Sequence, residues 1–424
     1  MSISGAMSSA VSGLKAQSQA LAVISDNLAN SSTVGYKANT ASFSSLITQQ
    51  STGSYYASGG VSASTNQNVG VQGLISSTSN ATDIAIDGDG MLAVTYGVDG
   101  RELYFTRNGE FSIDSDGYLC NGNYYLQGYP TDADGKVIGG STNSTDALEP
   151  IDTNIFSGYA SATTTETIVA NLPADAATGD TFTSSMEVYD SLGVSHSVEI
   201  TWEKTNDNEW SLSVADPTRS NDSSVTSGTI SGGPITLTFN TDGTLASTSP
   251  SPADLTVTGW TTGAADSTVI LDLGEAGSTN RLTQYASNDD EPYVDLTRIT
   301  PDGYEYGSLT GLAIEDDGTV TATYNNGYSR AIYKIPLATF SNVDGLAALS
   351  DSVYAQTSAS GSYTLQEAGQ GTTGVIQDYA LESSTVDTTS EMTRMIVAQQ
   401  AYSAASTVIS TSRDMFDTLM STVR

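Results

Sequence analysis

The chain has 424 residues, enough for about three domains, and 14 basic against 48 acidic residues give a formal net charge of −34. That charge opposes contact with nucleic acid and with anionic membrane surfaces. Only 38% of the residues are hydrophobic, and Ser, Thr, Asn and Gly make up the difference, as in β-rich domains with long loops or segments that order on binding.

The charge is unevenly placed. Residues 1–30 carry only Lys15 and Asp26, net zero. Residues 386–424 set Asp387, Glu391, Asp414 and Asp417 against Arg394, Arg413 and Arg424, net −1, so the middle holds −33 of the −34. Near-neutral ends can pack against copies of themselves, while an acidic middle keeps an assembled particle in solution. Cys120 is the one cysteine, which leaves no intrachain disulfide. No apolar run approaches the roughly 20 residues of a membrane span, so no membrane insertion is expected. Met1–Ala10 lacks the basic and apolar regions of a Sec-type signal peptide.

The chain opens on a helix over residues 1–30. Ile3, Met7, Ala10, Leu14, Leu21, Ile24 and Leu28 alternate spacings of four and three, broken only at Gln17. This is the seam of a coiled coil. The other faces are Ser, Ala and Gln, nearly uncharged. Two readings stay open: an amphipathic helix lying on its own domain, or a helix buried among others in an assembly. Ser31–Gly70 follows as a polar connector with one short amphipathic piece, Ala41–Gln49.

The middle reads as β. Asx-Gly pairs recur at Asp99-Gly100, Asn108-Gly109, Asp116-Gly117, Asp134-Gly135, Asp242-Gly243, Asp302-Gly303, Asp317-Gly318 and Asn326-Gly327. Such pairs supply the positive φ of tight hairpin turns. Ile84–Val94, Leu103–Ile113, Met186–Val214 and Val320–Ile335 are the expected strand regions. Thr142–Thr167, Ser220–Gly233 and Asn280–Asp290 are looser.

The chain closes on a second heptad helix. Met395, Tyr402, Ile409, Phe416 and Val423 recur every seven residues, with Ala398, Ala405, Ser412 and Leu419 three further on. Helices of this kind are marginal alone in water. They are therefore expected to be disordered in the free monomer and ordered in an assembly.

The fold class is α+β and multidomain: paired N- and C-terminal coiled-coil helices with two β-rich domains, the outer inserted in the inner. The divisions are a terminal helical core (1–30 and 380–424), a connector (31–70 and 359–379), an inner β domain (71–145 and 285–358) and an outer inserted β domain (146–284).

Enzyme chemistry finds little footing. His196 is the single histidine. It sits between Ser195 and Ser197 in a strand-like stretch, where a surface or cross-strand role is expected. No CxxC, HExxH, GxSxG or phosphate-loop motif occurs. Asp87-Gly-Asp-Gly90 starts like a calcium loop, but the twelfth position, Val98, is not a carboxylate. A hairpin turn is the better reading, and Asp316-Asp317-Gly318 is likewise a turn. No catalytic residue, metal site or cofactor is expected.

Several motifs carry a resemblance to a known family. Asn27-Leu-Ala-Asn30 with Thr33-Val-Gly-Tyr-Lys37 resembles the N-terminal signature of the rod and hook family of bacterial flagellar axial proteins, its marked residues being Asn27, Asn30, Gly35, Tyr36 and Lys37. Gly35 can take the left-handed conformation just past a helix. Asp83–Gly90, Phe105–Phe111, Gly117–Leu119 and Leu126–Tyr129 resemble that family's first β domain. Ala380–Asp387 and Glu391–Tyr402 resemble its terminal helix, with Gln400 where the family often has Arg. The hook branch is favoured by Val188–Gly193 through Trp202 to Trp210, by Leu237–Leu245, and by Asp302–Tyr304, Ile314–Gly318, Asn326-Gly327 and Leu337–Phe340. The resemblance covers most of the chain and is patchier across 142–285.

The resemblance implies a hook subunit that leaves the cell unfolded through the flagellar type III export apparatus. It also implies a homopolymer, a curved flexible tube that transmits torque from rod to filament. The terminal helices would line the inner tube and the β domains form outer layers. Implied partners are the distal rod, hook cap and hook–filament junction proteins, and the implied location is extracellular, in the hook and basal body. Phe43 and Ile47, in Phe43-Ser-Ser-Leu-Ile47, resemble an export-gate segment; an ordinary core-facing pair is the competing reading. Polar, water-bridged contacts between outer domains can exchange at low cost as the tube bends. The alternatives are another axial protein, such as a distal rod or junction subunit, and a secreted β-rich adhesin. The adhesin has no need of heptads at both ends.

Overall fold

The computed structural model describes residues 3–46, 59–133, 135–138, 144–287 and 291–422. It is β-rich with one long helix at each end: α1, Ile3–Ala29, and α2, Thr388–Thr422. The chain divides into two compact units. Unit 1 comprises 1–155, 311–322 and 330–424; unit 2 comprises 156–310 and 323–329.

In unit 1, α1 ends where Asn30 folds back, its Nδ2 donating to the Asp26 carbonyl at 2.9 Å. α2 begins on Asp387, whose carboxylate accepts from the Thr389 N–H at 2.9 Å and the Ser390 N–H at 3.3 Å. Glu391 in the first turn complements the helix dipole. Along α2 the hydroxyls of Thr393, Thr407, Thr411 and Thr418 donate to the carbonyls of Thr389, Ser403, Thr407 and Asp414. Polar side chains that close on their own backbone can enter a dry interface at small desolvation cost. Both segments are helical in the single chain, contrary to the expected disorder. They pack on each other, so each supplies the partner the other lacks.

The segment expected to be a connector contains a hairpin. Strand β1, Asn39–Ser45, pairs antiparallel along its whole length with β2, Val61–Gln67. The hairpin is tied to α1 by the Val61 N–H on Ser12 Oγ at 3.2 Å and by Gln19 Nε2 on Thr65 Oγ1 at 3.2 Å. Most of the remaining strands of unit 1 build one sheet, in which Met91–Tyr96 lies between Leu103–Thr106 and Tyr124–Pro130. Ile84–Asp87 pairs with Val375–Asp378, and Ile75–Ser77 with Ala380–Glu382. Phe105, Tyr129, Met91 and Leu365 fill the core below. The Asp87–Gly90 turn is not a hairpin, because the strands on its two sides pair with different partners.

Two sheets of unit 2 enclose one core. One sheet centres on Thr165–Pro173, which pairs with Ser267–Asp272, Leu282–Tyr285 and Asp295–Pro301. The other runs through Thr181–Tyr189, Ser195–Asn206, Glu209–Val214 and Ile235–Phe239. Along Ser195–Asn206 burial alternates, so that His196, Val198, Ile200, Trp202 and Lys204 face inward. All three tryptophans, Trp202, Trp210 and Trp260, lie in this core.

Of the Asx-Gly pairs, Gly117, Gly135, Gly243, Gly318 and Gly327 have positive φ; Asp134 lies outside the described residues. Gly100, Gly109 and Gly303 do not. At Gly109 the requirement is space, since a Cβ would stand 1.7 Å from the Ile84 carbonyl oxygen.

Candidate functional site: the terminal helices and their root

α1 leads into the root of the helix pair and α2 leads out of it, so the two helices are antiparallel. Three crossing hydrogen bonds join the incoming and outgoing segments. The Gly35 N–H donates to the Glu382 carbonyl at 2.8 Å, the Ala38 N–H to Thr385 Oγ1 at 2.8 Å, and the Thr385 N–H to the Tyr36 carbonyl at 3.1 Å. Gly35 has φ 67°, and a Cβ there would stand 2.7 Å from the Asn108 nitrogen. The signature glycine is thus required by both conformation and space.

Beneath these bonds lies a buried charge cluster. Lys37 Nζ meets Glu382 Oε1 at 2.5 Å, and Arg107 Nη1 meets Glu382 Oε2 at 3.4 Å. The Gly73 N–H also donates to Glu382 Oε1 at 2.5 Å. Lys37 donates again to the Val71 carbonyl, and Arg107 to the carbonyls of Ile86 and Gly88. Glu382 is completely buried and Lys37 nearly so. Burial holds the Lys37 ammonium below its usual value; Glu382 opposes that shift and Arg107 adds to it.

Asn27, also fully buried, fixes β1 to α1. Its Nδ2 donates to the Asn39 carbonyl at 2.8 Å and its Oδ1 accepts the Asn39 N–H at 2.9 Å, as a neighbouring strand would. Tyr36 Oη donates to the same Oδ1 at 3.2 Å. An amide offers a donor and an acceptor side by side. Asn30 and its neighbour Thr33 close the helix end through Thr33 Oγ1 on Asn30 Oδ1 at 3.1 Å. The five signature residues thus lie at one root, joined there by Arg107 and Glu382. Their sequence separation hid those two.

The expected helix seams are partly displaced. In α1 the buried positions are Ala10, Ala16, Ala20, Val23, Ile24 and Asn27. Met7, Leu14, Leu21 and Leu28 are half-buried, and the side chain of Ile3 lies outside the described residues. Ala16 and Ala20 are part of the covered face of α1, and their small size hid the stripe they form. In α2, Ala398 and Ser412 are buried and Met395, Ala405 and Ile409 half-buried. Tyr402, Phe416 and Leu419 are exposed, and Val423 lies outside the described residues. α1 has 27 residues and α2 has 35, so α2 is longer by about 12 Å at 1.5 Å per residue. Every described residue of α2 beyond Ser412 is exposed.

Phe43 of β1 is 48% exposed, so the core-facing reading of it fails; Ile47 lies outside the described residues. His196 is not at the surface. It is fully buried, with Nε2 3.2 Å from Asp190 Oδ2 and Nδ1 2.8 Å from Ser227 Oγ. Asp190 also accepts from Thr262 Oγ1 at 2.6 Å and from the N–H groups of Leu192 and Val194. Burial pushes its carboxyl up, but these hydrogen bonds outweigh it and hold the group below the usual range. Ser227 Oγ lies 3.1 Å from the Pro217 carbonyl, and the Trp260 ring lies against the imidazole, tilted by 33° with centroids 4.3 Å apart. The trio has the order of a hydrolase triad but sits sealed in the core of unit 2, where it ties the strand of His196 to the turn at Asp190 and the loop at Ser227. Among the described residues no His, Cys, Asp and Glu side chains gather as a metal site, and no helix is long and apolar enough to cross a membrane.

Comparison with known proteins follows the same division of the chain. Residues 7–37 match the family described as flagella basal body rod protein, and 377–422 the flagellar basal body rod FlgEFG protein C-terminal family. Residues 85–150 match the flagellar hook protein FlgE/F/G D1 domain, and 154–304 the flagellar basal body protein FlaE D2 domain. The flagellar hook protein FlgE of Rhizobium meliloti is 36% identical, with all of both chains covered. That of Escherichia coli K12 is 32% identical over 98% of this chain and 99% of its own. The crystal structure of Helicobacter pylori flagellar hook protein FlgE2 is similar in fold, with TM-score 0.52 and 13% identity, covering 73% of this chain and 100% of that one. The chain belongs to the flagellar hook protein family.

Proposed function

We propose that the chain is the structural subunit of the flagellar hook, a homopolymer outside the cell that forms a curved tube and transmits torque from rod to filament. The observation that carries this reading is the bare apolar surface of α2. Ile396, Val397, Met415, Leu419 and Met420 are all more than half exposed on one helix, and a patch of that kind marks an interface. In this reading the helices form coiled-coil contacts with those of other copies at the inner wall. Unit 2 belongs to an outer domain, inserted in the inner one, whose acidic surface exchanges water-bridged contacts as the tube bends. The Lys37–Glu382–Arg107 root carries load between helices and β domain, because buried ion pairs and crossing backbone bonds resist separation. The distal rod, hook cap, junction and type III export proteins are the expected partners, with Phe43 and Ile47 in the export-gate segment.

Deletion of residues 1–30 is expected to abolish polymerisation while the β circular dichroism persists. Tubes formed by the truncated chain, seen by electron microscopy, would defeat the reading. Hydrogen exchange gives a second check. In dilute monomer the amides of 16–27 and 391–412 are expected to be protected and those of 413–422 to exchange freely, gaining protection only on assembly. Protection of 413–422 in the monomer would contradict it.

A further inference from the structure

A groove of about 450 Å³ lies in unit 1 among α1, β1 and the start of α2. Ala20, Val23, Ile24, Val397 and Ala398 give it apolar walls. Two of the residues that line it, Asn39 and Glu391, each carry a buried side-chain oxygen, Oδ1 and Oε2, with no hydrogen-bond partner among the described residues. Glu391 is only 4% exposed and its other oxygen is taken by Arg394 Nη1 at 2.9 Å. A buried orphan acceptor is costly, and a carboxylate oxygen more so. Both orphans lack a donor, so the fitting occupant is an apolar segment that carries a cation.

The chain possesses such a segment. Beyond Ser412, α2 runs on uncovered, and Arg413, Phe416 and Met420 fall on one face of it at i, i+3 and i+7. Phe416 is 40% and Met420 69% exposed, and Arg413 has no ion pair among the described residues. The tail cannot reach its own groove. Residues 391 and 413 are 22 positions apart on one continuous helix, about 33 Å at 1.5 Å per residue.

We propose that the α2 tail of one copy docks into the α1–β1–α2 groove of a second copy. Arg413 donates to Glu391 Oε2 and Asn39 Oδ1, and Phe416 and Met420 fill the apolar walls. This deepens the polymer reading above and rests on it. Tail and groove are different surfaces, so each copy keeps one free tail and one free groove. A heterologous contact of this kind propagates into a ring or an open helical array.

The test is charge reversal in the full chain, read as the concentration at which polymers sediment. R413E and E391R alone are each expected to raise it about tenfold or more, and R413E/E391R together to restore it to within about threefold. Normal polymerisation of R413E or of E391R, or a double variant no better than the worse single one, overturns the proposal. Trp fluorescence and burial of Cys120 confirm that each variant folds. Should the unmodified chain form no polymer, the hook reading fails separately, and docking is still decided by cross-linking. A T393C chain mixed with an M420C chain, treated with a short bismaleimide, is expected to give a mixed dimer absent from either chain alone. No mixed dimer at high concentration sinks the docking.

Discussion

Replacing Glu382 by glutamine is expected to weaken unit 1 by about 3–5 kcal/mol and to leave unit 2 unchanged. Among the described residues Glu382 is the one anion paired with two buried cations, Lys37 at 2.5 Å and Arg107 at 3.4 Å. Glutamine keeps the size and an acceptor but removes the charge, leaving the two cations facing each other in a low-dielectric pocket. Lys37→Met is expected to cost less, because Glu382 then retains Arg107 and the Gly73 N–H. The chain carries its own separate probes. Cys120, 7% exposed, is in unit 1, and the three tryptophans are in unit 2. Thiol labelling in rising urea therefore reads the first unit, and Trp fluorescence the second. A shift below about 1 kcal/mol in Cys120 protection for E382Q would mean the cluster acts like a surface ion pair. A matching shift in the Trp transition would mean the two units unfold together.

The sequence shows the helices well and their root poorly, for one physical reason. Periodicity reports burial along a single element, while the root is made by residues as far apart as Tyr36 and Thr385, 349 positions. The heptad columns locate both helices, yet the covered face of α1 is set by Ala16, Ala20, Val23 and Asn27. Two of these are small and one is polar, so a search for large apolar residues passes over them. Met7, Leu14 and Leu21 stand beside that face, half-covered, which suits a helix with one partner in its own chain and others elsewhere. The hairpin of β1 and β2 had no signal because Asn39–Ser45 has no large-apolar alternation. Its pairing runs through small side chains, such as Ser42 Oγ and Ser64 Oγ at 2.8 Å, and through α1. His196 was legible. Val198, Ile200 and Trp202 alternate inward on the same strand, so the period of two places His196 on the core face with them.

The same alternation exposes a weakness in unit 2. Glu166, Ile168, Ala170 and Leu172 face inward together along Thr165–Pro173, and Glu166 is completely buried. Neither of its oxygens has a hydrogen-bond partner among the described residues. Burial, then the charges of Asp302 and Glu187, push its carboxyl up to about 8. The native state therefore keeps a proton that the unfolded chain releases near 4.5. Below about 4.5 the group costs nothing. As pH rises toward 8 the unfolded state is favoured by up to roughly 1.4 kcal/mol per unit. Relaxation and water entry around the carboxylate reduce the total to about 2–3 kcal/mol. Glu166→Leu removes the titrating group at nearly constant volume. Its advantage over the native chain is expected to be small at pH 4.5 and to reach about 2–3 kcal/mol above pH 8, a rise of about 1 M in the urea midpoint of Trp fluorescence. An advantage that stays constant from pH 4.5 to 8.5 would show that Glu166 does not titrate in this window. An advantage that shrinks with pH would mean that the native state prefers its ionised form, and that a donor reaches it in solution.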